Sequence, residues 1–173
     1  MLYPLNWNYH VDGILRLTRS PWQAPALARA AGTALRRVLR SFNYVGVLAI
    51  EFFVRRGRLI ANEMAPRVHN SGHWTIEGSV TSQFENHVRA IAGLPLGATA
   101  PRGHSAMINL IGTMPEARRF LAAPGLHWHD YGKEPRHGRK LGHCTINEST
   151  ASRRTSRAKA LLLQLYPQLA LRP

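Results

Sequence analysis

The stretch from Tyr44 to Trp74, YVGVLAIEFFVRRGRLIANEMAPRVHNSGHW, constrains the fold more than any other part of the chain. Tyr44 to Val54 is apolar and β-branched, Arg55-Arg56-Gly57 has turn chemistry, and Arg58 to Met64 extends again. That pattern predicts a β-hairpin. Glu51 and Glu63 lie six residues either side of Gly57. In an antiparallel hairpin centred on that glycine they face each other, with Cβ atoms roughly 5 Å apart. Two unscreened carboxylates that close repel, and one takes up a proton. A divalent cation removes the conflict. Mg²⁺ favours one or two carboxylates with substrate phosphates, and Mn²⁺ is the alternative, so Glu51 and Glu63 are the candidate metal ligands. A plainer reading is a hairpin with two solvated glutamates. Against it, Glu51 sits inside an apolar run, where a bare charge is costly.

Beyond the hairpin, Arg67, His69, Asn70, Ser71 and His73 form a dense run of anion-binding and proton-handling groups. Pro66 pushes Ala65 towards an extended conformation, and Arg67 offers a planar fork suited to carboxylate or phosphate. Trp74 reads as a packing residue.

The rest of the chain is read around this stretch. Leu2–Leu5 and Ile14–Leu17 look like strand pieces, with Asn6 to Gly13 as a polar connection. Residues 22–42 predict a helix, with Leu27, Ala31, Ala34, Leu35, Val38, Leu39 and Phe42 on one face. Ser82-Gln83-Phe84-Glu85 fits a capping box, followed by an apolar face of Phe84, Val88 and Ile91. Leu94 to Gly103 reads as a linker, with a domain boundary near residue 98 that divides the chain into 1–97 and 98–173. Beyond it come strands Ser105–Ile111, Leu126–His129 and Lys140–Ile146, a short helix near Pro115–Leu121 and a terminal helix Thr150–Leu165. Between the last strands, Lys133, Arg136, Arg139 and Lys140 crowd a segment loosened by Gly132 and Gly138. They form a candidate phosphate site, against the alternative of a basic hairpin tip with no ligand.

Composition limits the function classes. A chain of 173 residues, 45 % apolar, suits one domain or one with a small appendage. The single Cys144 excludes an internal disulfide framework, and no stretch approaches the roughly 20 apolar residues of a membrane span. The expectation is a soluble cytoplasmic protein. A net charge of +14, from 23 Lys+Arg against 9 Asp+Glu, raises nucleic-acid binding. The basic residues are spread along the chain, however, and no nucleic-acid-binding motif appears.

The segment NEMAPRVHNSGHWTIEGSVTSQFENHVRAIAGLPLG resembles the 5-(carboxyamino)imidazole ribonucleotide synthase family of ATP-grasp enzymes. The resemblance extends to YPLNWNYHVDGILRLT upstream and to SAMINLIG and LHWHDYGKEPRHGRKLGH downstream. It implies an α+β fold: the C-terminal part of an ATP-grasp domain, an antiparallel sheet with packed helices, plus a small C-terminal α/β lobe. It also implies an ATP- and bicarbonate-dependent carboxylation of 5-aminoimidazole ribonucleotide in purine biosynthesis. By the same resemblance His10, Asn62 and Glu63 face ATP, and Arg67, His69 and Asn70 meet bicarbonate. Ser71, His73, Lys133, Arg136, Arg139 and Lys140 contact substrate, the basic run taking the ribonucleotide 5′-phosphate. Pro135 and His137 depart from the valine and proline usual in that run.

The family is about twice as long, and the glycine-rich loop and lysine pair of complete ATP-grasp enzymes are not found in these residues. Three readings stay open. One is a ligase whose remaining part lies elsewhere, inactive as an isolated fragment and either monomeric or a homodimer. The second is a noncatalytic fragment that only binds. The third is a basic nucleic-acid-binding module.

Overall fold

The computed structural model describes residues 1–169. Two compact units emerge among the described residues: Met1–Leu5 with Trp22–Pro101, and Asn6–Pro21 with residues 102–169. We call them the hairpin unit and the sheet unit.

The sheet unit contains β1 (Trp7–Val11), β2 (Ile14–Ser20), β5 (His104–Ile111), β6 (Leu126–Asp130) and β7 (Lys140–Glu148), with helices α4 (Arg118–Leu121) and α5 (Ala151–Leu165). The strands form one sheet in the order β1-β2-β5-β7-β6, every neighbouring pair antiparallel. The C-terminal lobe is therefore an antiparallel α+β unit rather than α/β. Turns and short loops reverse the chain between β1 and β2 and between β6 and β7, and β2 and β5, although residues 21–103 separate them, are antiparallel as well.

Alternation along each strand sends Leu17, Ala106, Ile108, Cys144 and Ile146 to one face, where Ala158, Leu161, Leu162 and Tyr166 of α5 cover them. Burying each large apolar side chain stabilises the unit by roughly 1.5–3 kcal/mol. Helix α5 starts at its cap, where the Thr150 side chain accepts the Arg153 N–H. Burial pushes the Cys144 thiol up to about 12, leaving an inert thiol inside this core.

The hairpin unit holds α1 (Pro25–Ser41), β3 (Ala49–Arg55), β4 (Arg58–Ala65), a 3₁₀ turn (Asn70–Gly72), α2 (Thr75–Gly78) and α3 (Gln83–Ile91). Strands β3 and β4 pair only with each other. Among the described residues Ala65 and Trp74 are its only fully buried apolar side chains. Polar side chains tie the rest together. Asn86 donates to the Gly97 carbonyl (3.1 Å) and the Tyr3 hydroxyl (2.8 Å) and accepts the Gly97 N–H (2.8 Å). Tyr3 in turn donates to the Thr81 carbonyl at 2.9 Å.

Several expectations need correction. The first strand is Trp7–Val11, inside the supposed connection, and Leu2–Leu5 is not a strand. The reason is legible afterwards: Trp7 and Tyr9 alternate onto the apolar face, and Asp12 and Gly13 both take positive φ, as a two-residue hairpin turn requires. Helix α1 begins at Pro25 rather than at residue 22; proline is well suited to the first helical position. The unit division differs from 1–97 and 98–173, because β2 pairs with β5 and carries Asn6–Pro21 into the sheet unit. Helix α3 is capped as expected, Ser82 accepting the Glu85 N–H at 3.1 Å, but its faces are inverted. Val88 and Ile91 are 58 % and 61 % exposed, whereas Gln83 and Asn86 are 3 % and 4 % exposed.

Candidate functional site

The Arg56-Gly57 turn sets the tip of the hairpin, with φ of 50° and 73°. From there Arg55 pairs with Arg58, and the register continues to Phe52 opposite Ala61. That register alone would set Glu51 opposite Asn62. An irregularity between Glu51 and Phe52 adds one residue to β4, and Glu51 pairs with Glu63 instead. Asn62 is the extra residue. It lines, with Glu63, Phe52, Ala61 and the α1 residues Ala34 and Val38, a cavity of about 300 Å³.

His69 bonds one of the two glutamates and lies close to the other. Its Nε2 lies 2.8 Å from Glu63 Oε1 and its Nδ1 3.9 Å from Glu51 Oε1. One ligand atom from each of the three residues falls within 4.8 Å of the others. The Glu51 side chain is 11 % exposed and that of Glu63 55 %, so the pair reaches from the protein interior to solvent. His69 Nδ1 accepts the Ser71 N–H (3.4 Å) and lies 2.8 Å from Ser71 Oγ. With Nδ1 accepting, Nε2 carries the ring proton and donates it to Glu63. The donor set of two hard carboxylates fits Mg²⁺ or Mn²⁺, and the histidine orients one of them in the manner of an outer-shell partner.

The loop after the hairpin brings the other predicted residues to the same unit. Arg67 is exposed and donates to the Val68 carbonyl at 2.9 Å. Asn70 holds a buried Nδ2 with no hydrogen-bond partner, an expensive arrangement that a ligand oxygen would relieve. Ser71 is buried against His69, and His73 is gripped by Gln83 through a 2.9 Å bond. Trp74 is fully buried, a packing residue as expected.

Sequence reasoning missed Gln83 as part of this constellation. It marked only a position inside a capping box, and no pattern in the chain announces that a residue at a helix start will turn inward.

The remaining predicted residues lie in the sheet unit. His10 is exposed on β1, so it and the Asn62–Glu63 pair belong to different units. Lys133, Arg136 and Lys140 are exposed and Arg139 is half-buried. Arg139 donates to the Glu134 carbonyl at 3.3 Å, and its own N–H donates to the Arg136 carbonyl at 3.0 Å. The Lys133 ammonium sits 5.2 Å from the centre of the Tyr131 ring. Burial pushes the Tyr131 phenol up to about 12, so it stays a neutral hydroxyl, 2.7 Å from His143 Nδ1.

Residues 1–84 match the ATP-grasp domain, and residues 105–157 match the phosphoribosylaminoimidazole carboxylase C-terminal domain. The N5-carboxyaminoimidazole ribonucleotide synthase of Pseudomonas aeruginosa is 51 % identical over 163 residues, covering 92 % of this chain and 45 % of that protein. The chain belongs to the N5-carboxyaminoimidazole ribonucleotide synthase family. A crystal structure of the synthetase from Thermus thermophilus superposes with a TM-score of 0.91 at 50 % identity, over 98 % of this chain and 48 % of that one. The Aspergillus clavatus synthase in complex with ADP and 5-aminoimidazole ribonucleotide gives 0.85 at 31 % identity, over 94 % and 47 %. The chain spans about half the length of the curated relatives it matches. The ATP-grasp fold of mixed helices and antiparallel sheets, expected from the motifs, is the family's. No helix among the described residues is long and apolar enough to cross a membrane.

Proposed function

We propose that this chain supplies the metal, bicarbonate and ribonucleotide-phosphate parts of an ATP-dependent carbon–nitrogen ligase that carboxylates 5-aminoimidazole ribonucleotide. The observation that carries the reading is the Glu51–Glu63 pair, set face to face by a bulge, with His69 bonded to Glu63 beside it. Glu51 and Glu63 would hold Mg²⁺ or Mn²⁺, which when bound neutralises charge on the ATP phosphates.

The chain's own residues do the rest. Asn62 borders the cavity beside Glu63 and contacts the nucleotide; His10 is a second nucleotide contact in this reading. Arg67 and the unsatisfied Asn70 amide aim donors at bicarbonate, whose oxygen attacks the γ-phosphorus as ADP leaves. His69 keeps the Glu63 carboxylate oriented. In the second step the exocyclic amine attacks the carboxyl carbon of carboxyphosphate, or of CO₂ released from it. Phosphate leaves and the amine loses a proton. Ser71 and His73 border this substrate, and Lys133, Arg136, Arg139 and Lys140 bind its 5′-phosphate. In this reading the enzyme works in the cytoplasm, its partners are small molecules, and a homodimer is one assembly open to it. Nucleic acid is not among its partners.

The test is reconstitution. These 173 residues, mixed with a polypeptide carrying the remaining half of the Pseudomonas aeruginosa relative, should release ADP only when bicarbonate and the ribonucleotide are both present. ADP release indifferent to omission of either substrate would overturn the assignment.

A further inference from the structure

Gln83 stands at the first position of α3 yet is 3 % exposed. Its carboxamide makes three hydrogen bonds to the loop before it. Oε1 accepts the His69 N–H at 3.0 Å. Nε2 donates to the His69 carbonyl at 2.8 Å and meets His73 Nδ1 at 2.9 Å. The main-chain N–H can only donate and the carbonyl can only accept. One orientation of the amide satisfies both, and the flipped one sets donor against donor and acceptor against acceptor. The NH₂ group therefore faces His73, and Nδ1 of that ring must accept. A neutral imidazole accepting at Nδ1 carries its proton on Nε2.

The amide is held against rotation as well. The Gln83 N–H donates to Thr75 Oγ1 at 3.0 Å, and Thr75 Oγ1 donates to the Gly72 carbonyl at 2.6 Å. Gly72 leaves the room the amide needs, since a Cβ there would stand 2.5 Å from Gln83 Oε1. The Phe84 ring, its centre 5.2 Å from that of His73, limits the imidazole's freedom.

We propose that Gln83 is a positioning residue that holds His73 as the neutral Nε2–H tautomer, so that the ring presents a donor to an anionic oxygen of the substrate. The substrate side rests on the reading given above, in which the 69–73 loop faces bicarbonate and the ribonucleotide. The tautomer itself does not depend on that reading. A ring fixed with Nε2–H favours a carboxylate or phosphate oxygen and disfavours a ligand that offers a donor at the same place.

The experiment is long-range ¹H–¹⁵N NMR of the histidine rings in the ligand-free chain at about pH 8, above the usual histidine range. The His73 signals are assigned by their loss in His73→Gln. An unprotonated Nδ1 and a protonated Nε2 on His73 are expected; a protonated Nδ1 in the wild-type chain would overturn the proposal. Glu at position 83 offers only acceptors, so folded Gln83→Glu should move the His73 proton to Nδ1, which a merely structural change would not do. A bare Nδ1 in that folded variant would also overturn it. Should Gln83→Glu not fold, the wild-type spectrum still decides, together with Gln83→Met. In that variant the His69 amide loses its acceptor and should exchange about 5–10-fold faster, as loss of one hydrogen bond implies. Unchanged exchange would refute the grip on His69. No substrate is needed, so failure of the carboxylation assignment and failure of this one are separable.

Discussion

The sheet unit closes an apolar core beside its buried polar groups, whereas the hairpin unit, with almost no buried apolar side chain, closes on polar ones that bond to the main chain. In the first, Leu17, Ile108, Ile146 and Leu162 are at most 1 % exposed and pack without regard to hydrogen-bond direction. In the second, His69, Ser71, Gln83 and Asn86 are buried, and nearly every one holds a loop at a defined point. Apolar burial is strong but undirected; buried hydrogen bonds add less net stability and far more geometry. The region proposed to bind metal and bicarbonate is the directed one. The basic run 133–140, proposed to bind a phosphate, has mostly exposed cations with few partners. A phosphate can be attracted by such charges, but transition-state stabilisation needs groups held in place.

Substitutions can break or sharpen that contrast. The largest effect is expected for Glu63→Gln in the reconstituted pair. The change removes a charged ligand with almost no change of shape, and coupled ADP detection should show turnover falling by about 10³-fold or more, roughly 4 kcal/mol. Full activity there would sink the metal assignment. Next comes Leu162→Ala, expected to destabilise the sheet unit by about 2–5 kcal/mol in urea unfolding, because it leaves a cavity under the sheet. A cost well below that would mean the core is less closely packed than its burial indicates.

Asn86→Ala should cost about 1–3 kcal/mol, confined to the hairpin unit, since it strands the Gly97 N–H and carbonyl. Amide exchange at Gly97 should quicken while the β5 and β7 amides keep their protection; a uniform loss of protection would erase the distinction between the units. Arg136→Ala is expected to raise the KM for the ribonucleotide about ten-fold, near 1.4 kcal/mol, with kcat unchanged, if it contributes uniform phosphate binding. A loss in kcat instead would place the basic run among the directed groups.

The smallest effect concerns acid stability. Hydrogen bonding from Arg157, and then from Arg153, holds the Glu148 carboxyl below its usual range. A carboxyl depressed in the folded state stabilises it above the unfolded value of about 4.3, and that contribution is lost as pH falls through the folded value. Glu148→Gln should therefore flatten the acid limb of a pH–stability curve and leave the slope near neutrality unchanged. An unaltered acid limb would count against the ion pair.

Much of this molecule was readable along the chain. Turn chemistry at Arg55-Arg56-Gly57, the Ser82 cap, the strands from 104 to 148 and the final helix depend on neighbours in sequence, and local patterns report them well. The crowding of Glu51, Glu63 and the Arg67–His73 run also showed, because those residue types are out of place in an ordinary hairpin and connector. What the chain did not reveal were choices made by packing. The two-residue turn by itself pairs Glu51 with Asn62, and only a bulge at Asn62 brings Glu63 opposite. Helix α3 has an apolar face in sequence, yet it buries Gln83 and Asn86, because the loops beside it need hydrogen-bond partners. The residues at 6–21 join a sheet whose other strands come about ninety residues later. Periodicity and turn residues are local quantities, set by sterics within a few residues. Bulge placement, the buried face of a helix and strand pairing at long range depend on which distant surface supplies the missing contacts, and that is settled only when the chain has folded.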